Sequence, residues 1–184
     1  QIFEDVYHMV FTLKKHFPMK QVLESLTWQE FEKLIQLTLS YNKFYSIRTF
    51  RFSNENSRYE IDIIARDKFK ILCIDAKRWC SKTISLSALK FAAEKQYNRI
   101  LKLLTNKTIL KTCYSKLKIR NHSVEIKKTL KKFQFFPVIL VSQDLPEIII
   151  HENIPIISFS LFNDFLLNFE SFQDEIKVDY SHSY

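Results

Sequence analysis

The sequence predicts an α/β domain with a central mixed sheet flanked by helices. Three apolar, strand-like segments follow one amphipathic helix, at residues 43–52, 58–65 and 70–77. A second amphipathic helix and a further apolar strand come later, at residues 87–104 and 136–142. With 184 residues the chain is most simply one domain, and a domain of that size buries roughly 70% of the surface that its unfolded chain exposes.

The first helix of the core is predicted to begin after Thr27. The Thr27 side chain can cap the helix, and Glu30 can reach back as the third residue of a capping box. Leu26 can pack against Phe31 as a hydrophobic staple. The apolar face then continues at helical spacing, through Leu34, Ile35, Thr38 and Leu39. We interpret residues 1–24 as an N-terminal helical extension ahead of the core, which is predicted to span residues 25–170.

Short polar segments join the first three strands and predict an antiparallel meander. They cover residues 54–57 and 66–68. The chain contains no glycine, so its turns must rely on Asn, Asp, Ser and Pro. The asparagines at predicted turns are Asn42, Asn54, Asn56, Asn106 and Asn121.

The later elements are predicted from short apolar runs. Residues 136–142 form a continuous apolar run, which is typical of a strand buried on both faces. Two shorter strands are predicted at residues 148–150 and 155–158, followed by a phenylalanine-rich helix at residues 160–169. Residues 171–184 are predicted to form a loose tail.

The net charge of +8 is concentrated in one segment, at residues 105–134. That segment has nine basic residues and one acid, which leaves 19 basic and 19 acidic residues elsewhere. A basic segment beside an otherwise balanced domain is typical of binding to a phosphate backbone, and the alternative is a solvated insertion. The nine cations are Lys107, Lys111, Lys116, Lys118, Arg120, Lys127, Lys128, Lys131 and Lys132.

Two of the apolar strands carry a carboxylate, Asp62 in the second and Asp75 in the third. Burying such charges without partners costs several kcal/mol each. Side chains alternate along a strand at about 3.3 Å per residue, so Asp75 and Lys77 should point the same way, roughly 7 Å apart. Two acids and a lysine on adjacent strands predict a divalent metal beside an activated water. The alternative is a surface Asp75–Lys77 pair with Asp62 at an edge.

The predicted metal is Mg²⁺ (or Mn²⁺), because these ions prefer oxygen ligands. The ligands would be the carboxylates of Asp62 and Asp75, with the carbonyl of Ala76 as a third. Lys77 would orient the attacking water, or help to deprotonate it, and would stabilise the developing anion.

The chain resembles the PD-(D/E)XK nuclease superfamily, especially its Mrr-type (type IV restriction endonuclease-like) domains and archaeal Holliday-junction resolvases. The matching segments are residues 28–32 (WQEFE), 60–62 (EID), 75–79 (DAKRW) and 154–156 (IPI), together with the last helix. The resemblance covers roughly residues 25–170, and the basic insertion at 105–134 has no counterpart. It implies a restriction-endonuclease-like core of order α-β-β-β-α-β and a metal-dependent endodeoxyribonuclease.

The sequence departs from the superfamily pattern at two positions. Ile61 stands where the motif name has proline, and Asp75 stands where many relatives have glutamate. The helical acid of the site is predicted to be Glu32 rather than Glu30, because the Glu of the family follows an aromatic residue and Glu30 has a capping role. Glu32 lies about 100° round the helix from Phe31.

Three further residues are candidates for the site, Gln96 by the same resemblance and Arg78 and Trp79 by their position after Lys77. Some members of the superfamily carry a glutamine near the active site on the second helix, where this chain has Gln96. The alternative is that the Gln96 amide ties helix to sheet. Arg78 and Trp79 follow Lys77 directly and could contact a phosphate and stack on a base or sugar, although Trp79 fits a core position equally well.

Two other functions stay open at this level. One is a structure-specific resolvase, which would act as a two-fold homodimer. The other is a non-catalytic nucleic-acid-binding protein on a nuclease fold. A site built from metal and phosphate contacts has no sugar preference of its own, so RNA is open as a substrate beside DNA.

Other classes of protein are disfavoured by composition. No glycine-rich phosphate loop is possible without glycine, and the five histidines have no metal-ligand spacing, which disfavours zinc. No apolar run approaches the length of a membrane span. Three cysteines without a CxxC pair are expected to be reduced, which predicts a cytoplasmic protein.

Overall fold

A computed structural model describes residues 18–78, 85–119 and 133–176. It confirms an α/β architecture, with a six-stranded mixed sheet in the order β1-β2-β3-β4-β6-β5 and helices on both faces. The strands are β1 (Tyr45–Asn54), β2 (Ser57–Asp67), β3 (Lys70–Lys77), β4 (Gln134–Val141), β5 (Ile149–His151) and β6 (Ile154–Ser158). The helices are α1 (Met19–Ser25), α2 (Trp28–Tyr41), α3 (Leu86–Thr105), α4 (Lys107–Lys116), α5 (Phe159–Leu167) and α6 (Phe169–Ile176).

Strands β1, β2 and β3 form the predicted antiparallel meander. Strand β4 pairs in parallel with β3 and also with β6, and β5 closes the sheet antiparallel to β6. The chain returns from β3 to β4 by way of α3 and α4, because parallel strands require a long crossover connection. The β3–β4 pairing places the end of β3 in the middle of the sheet.

The sheet separates two apolar layers. Helices α1, α2, α5 and α6 pack on one face, and α3 and α4 pack on the other. Strand β4 supplies side chains to both layers, since Val138 packs with α2 whereas Ile139 packs with α3. The prediction of a strand buried on both faces is therefore confirmed.

The predicted capping box at the start of α2 is also confirmed. The Glu30 N–H donates to the Thr27 hydroxyl, and the Glu30 carboxylate accepts from the Thr27 N–H at 2.6 Å. These hydrogen bonds from Thr27 are the main reason that the pKa of Glu30 is lowered. Glu30 is thus committed to the helix end, while Leu26 and Phe31 are fully buried.

Two predicted boundaries were wrong. Residues 171–176, expected to belong to a loose tail, lie in α6, where Ile176 is fully buried against the core. The start of the basic insertion is also part of the fold, because Cys113 and Tyr114 on α4 are buried against the sheet. Residues 1–17, 79–84, 120–132 and 177–184 lie outside the described part of the chain, which includes most of the predicted extension.

Without glycine, left-handed backbone falls mainly on charged residues. Asn42 and Asn56 lie in turns, whereas Asn54 ends β1, Asn106 separates α3 from α4, and Asn121 lies outside the described residues. The positive φ angles belong mostly to neighbours such as Lys43 and Glu55. Within the described residues, no helix is both long enough and apolar enough to span a bilayer.

Candidate active site

The predicted acids meet where β2 and β3 separate. The last paired residues of these strands are Ile63 and Ile74, and Asp62 and Asp75 are their immediate neighbours. Beyond that point the Ala76 N–H donates to Oδ2 of Asp62 at 2.8 Å. A side chain, rather than a neighbouring strand, therefore satisfies this buried backbone donor.

A local distortion of the meander accompanies Asp62. Thr49 lies between the pairs Arg48–Ile63 and Phe50–Ile61, opposite Asp62, and has a left-handed φ of 55°. A β-branched residue is rarely found in that conformation. Strand alternation would place Ile61 and Ile63 on one face, but the two side chains pack on opposite sides of the sheet. The change of face falls at Asp62, which is the residue that turns into the site.

Asp62 is almost completely buried, with 8% exposure. Its pKa is raised to about 7, first by burial and then by the negative charge of Asp75. The Ala76 N–H and Lys77 act in the opposite direction, and the charge of Glu32 adds to the rise. A carboxylate under this repulsion is suited to bind a cation.

Asp75 holds one cation on each carboxylate oxygen. Lys77 Nζ lies 2.6 Å from Oδ2, and Arg99 Nη1 lies 2.9 Å from Oδ1. Lys77 therefore lies on the same side of β3 as Asp75, as the strand alternation predicts. The pairing explains how a residue with 3% exposure stays buried as a charge.

Gln96 connects helix α3 to strand β3 and also contacts Arg99. Its Nε2 donates to the Cys73 carbonyl at 2.8 Å, and its Oε1 accepts from Arg99 Nη1 at 2.6 Å. The fully buried amide thus ties helix to sheet, as the alternative interpretation predicts, and it also orients Arg99. Sequence reasoning missed Arg99, although its position three residues after Gln96 places both on one side of the helix.

We expect Gln96→Leu to lower the free energy of unfolding by about 1–3 kcal/mol, because it leaves the buried Cys73 carbonyl and part of Arg99 without partners. Urea denaturation would measure the change. Asn98→Leu is the matched control, since Asn98 is an exposed amide on the same helix. Equal losses in the two variants would contradict the bridging role.

Glu32 is the helical acid that lies in the site. It has 6% exposure, its Oε1 accepts from Trp28 Nε1 at 2.5 Å, and its Oε2 lies 3.8 Å from Arg48 Nη1. Burial raises its pKa. Glu30 is held in the capping box, and the role of Glu32 in the site stays a prediction.

An open cleft of about 500 Å³ gives access to these groups. Asp62, Asp75 and Lys77 line it together with Arg99. The other residues along its wall are Trp28, Arg58, Tyr59, Glu60, Lys95 and Asn98. The cleft places buried carboxylates beside several cationic side chains. Such a cleft can bind a metal ion and an anionic ligand in the same space.

None of the residues predicted to contact nucleic acid lines the cleft within the described part of the chain. Arg78 donates to the Glu24 carbonyl at 2.8 Å, at the α1 side of the sheet. Lys116 Nζ lies 5.3 Å from the centre of the Phe50 ring. Lys118 Nζ similarly lies 5.0 Å from the Tyr45 ring, and neither lysine lines the cleft. Those outside the described residues are Trp79, Arg120, Lys127, Lys128, Lys131 and Lys132.

Ala76 enters the site by a different atom from the one predicted. The contact to Asp62 is made by its N–H, whereas the prediction assigned its carbonyl as a metal ligand. The acids that the structure brings near one another are Glu32, Asp62 and Asp75, since the charges of the other two both raise the pKa of Asp62. Carboxylate oxygens are ligands that Mg²⁺ prefers.

A second group of possible ligands lies outside the cleft. Glu94, His151 and Glu152 bring one ligand atom each within 4.8 Å of one another. His151 Nε2 is buried and lies 3.8 Å from Glu94 Oε1. The spacing of the histidines along the sequence did not predict this group, because α3 and the β5–β6 turn meet only in the tertiary structure.

Comparisons with known proteins give little further information. No protein-family model matches the chain, and no solved structure matches it. A protein of Archaeoglobus fulgidus, described only as uncharacterized, is 34% identical over 74 residues. The match covers 40% of this chain and 57% of that protein, so the chain spans little more than half of its relative.

Proposed function

We propose that the protein is a metal-dependent endodeoxyribonuclease built on a restriction-endonuclease-like core. The observation that carries the proposal is the convergence of Asp62, Asp75 and Lys77 at one open cleft. Glu32 does not line the cleft, but it lies near enough for its charge to raise the pKa of Asp62. The element order α2-β1-β2-β3-α3, followed after α4 by β4, agrees with that core.

The donor set fits Mg²⁺ or Mn²⁺. Asp62 and Asp75 are buried next to each other, and the charge of Asp75 raises the pKa of Asp62, so a cation shared by them would relieve their repulsion. These two residues would hold the ion, with Glu32 beside them. A bound ion would supply Lewis-acid stabilisation of a phosphate and would acidify a water molecule.

The side chains themselves provide the rest of the chemistry. Lys77 is paired with Asp75 but keeps 28% exposure, so its ammonium group faces both the carboxylate and the cleft. From there it can orient an attacking water and stabilise negative charge on the phosphate. Arg99, on the other oxygen of Asp75, is held by Gln96 and adds a second positive charge.

We expect the purified protein with Mg²⁺ to cut at least one of three end-labelled DNAs: a linear duplex, a single strand or a four-way junction. Asp75→Ala and EDTA should each abolish cutting, because both remove metal binding. Asp164→Ala is the matched control, since Asp164 is an exposed acid on α5. Gel analysis of the labelled products gives the rates.

Each outcome assigns a function. Preferential cutting of the junction by a species with the mass of a dimer would favour the resolvase. Salt-sensitive binding without cutting of any DNA would contradict the proposal and favour a non-catalytic binding protein. Cutting of RNA but not DNA would retain the hydrolytic site but overturn the substrate.

A further inference from the structure

One face of α3 carries a row of cations that begins in the cleft. Lys95, Arg99 and Lys102 lie within about 40–60° of one another on a helix with 3.6 residues per turn. From Lys95 to Lys102 the row spans seven residues, or about 10 Å along the helix axis. Lys95 and Arg99 line the cleft, and Lys102 lies farther along the helix, toward the β1–β2 turn.

The two ends of this row are available to an external ligand. Lys95 is exposed, and its ammonium group rests 4.3 Å from the centre of the Phe91 ring. Lys102 is 41% exposed and lies 3.4 Å from Glu55, which is itself 74% exposed. A surface pair of this kind contributes little to stability, so an anion can displace Glu55 at little cost.

Three cations in a line beside a phosphodiesterase-like site fit a polyanion. One strand of a duplex presents a phosphate every 3.4 Å along its axis, so a row of about 10 Å faces about three successive phosphates. The positive charge would draw the backbone toward the acidic end of the cleft, where Asp62 and Asp75 lie.

The charge density of the ligand favours a duplex over a single strand. A duplex carries one negative charge per about 1.7 Å of its axis, against about 3.4 Å for one of its strands. Of the aromatic rings near the row, Tyr59 is stacked on Phe52 with ring centres 5.2 Å apart, and Lys95 lies over one face of Phe91, which is 57% exposed. The three cations therefore suit a duplex backbone, while the exposed ring of Phe91 makes single-stranded DNA the competing ligand in the test.

We propose that Lys95, Arg99 and Lys102 on α3 bind the backbone of double-stranded DNA and lead it into the cleft. The proposal rests on the proposed function and deepens it, because it assigns the substrate form and the contact surface. It also replaces the predicted basic segment as the main DNA contact among the described residues, since Lys116 and Lys118 lie outside the cleft.

Duplex binding in EDTA tests this surface without requiring cleavage. The variant is Lys95→Ala with Lys102→Ala, and the charge-matched control is Lys20→Ala with Lys90→Ala, two exposed lysines away from the row. Fluorescence anisotropy with a labelled 20-base-pair duplex would give Kd between 0.05 and 0.3 M salt. We expect the test variant to bind about 60-fold more weakly at 0.1 M salt, with a log–log slope reduced by about 1.8.

Two further variants make the test specific. Lys95→Arg with Lys102→Arg should restore binding, because a phosphate contact needs the charge rather than the lysine. Glu55→Gln should tighten binding, because it removes the anion that competes for Lys102. Equal Kd values for the test and control variants, with unchanged circular dichroism, would overturn the proposal.

The same samples separate this proposal from the proposed function. Loss of duplex binding in the Lys95/Lys102 variant, in a protein that never cuts DNA with Mg²⁺, would support the surface and overturn the nuclease. Cutting of DNA, with no effect of the two substitutions on Kd, would support the nuclease and overturn the surface. Tighter binding of single-stranded DNA or of an RNA duplex would overturn the assignment of double-stranded DNA.

Discussion

We expect Lys77→Ala to lower the single-turnover rate of DNA cleavage by about 10³-fold. Lys77 is the cation that contacts Asp75 at 2.6 Å and also faces the cleft. Loss of one preorganised charge aimed at a developing oxyanion typically costs 10²–10³-fold, and loss of a group that assists proton transfer costs about as much.

Binding should change far less than the rate. Removing one phosphate contact weakens duplex binding by at most about 8-fold at 0.1 M salt, and Lys77 is only partly exposed. Lys77→Arg is the conservative control, since it retains the charge but not the compact ammonium group, and it should cut at an intermediate rate. A Lys77→Ala protein that cuts at the wild-type rate would show that the site has been assigned wrongly.

The second large expected effect is on folding stability, which the buried charge of Asp62 should lower. Because its folded pKa is raised to about 7, the folded state binds a proton more tightly than the unfolded state, in which an ordinary Asp has a pKa near 4. The wild-type protein without metal should therefore lose stability as pH rises from about 4 through 7. Above pH 7 the carboxylate is charged in both states, and the folded state carries the whole penalty.

Asp62→Asn should remove this penalty. The Asn carbonyl can still accept from the Ala76 N–H, as Oδ2 of Asp62 does at 2.8 Å. We expect the variant to be more stable than wild type by about 2–4 kcal/mol at pH 8, and equally stable at pH 4. Urea denaturation in EDTA at both pH values measures the difference. A constant difference across this range would contradict the raised pKa.

Mg²⁺ gives the Asp62 variant a second readout. An ion that binds only the folded state stabilises it in proportion to the logarithm of its concentration. Wild type should therefore gain stability with Mg²⁺ at pH 8, whereas Asp62→Asn should gain little and should not cut DNA. Such a result would mean that the Asp62 carboxylate binds Mg²⁺ and lowers the stability of the folded protein without metal.

Local sequence patterns determined most of the secondary structure. The capping box of Thr27 and Glu30, the alternation of β3, and the apolar run of β4 each depend on residues a few positions apart. Strand alternation likewise placed Lys77 on the side of Asp75. These predictions hold because helix and strand periods are properties of short segments.

Only the tertiary structure decided which groups touch across elements. The ion pair between Arg99 and Asp75 joins residues from α3 and β3, and the hydrogen bond from Ala76 to Asp62 crosses the point where two strands separate. The burial of Ile176 on α6 likewise depends on how that helix packs against the sheet. Each depends on the relative placement of distant segments, which no periodicity within a segment specifies. The sequence by itself therefore determined the elements and the acids they carry, while packing decided their partners, their burial and the surface that leads to them.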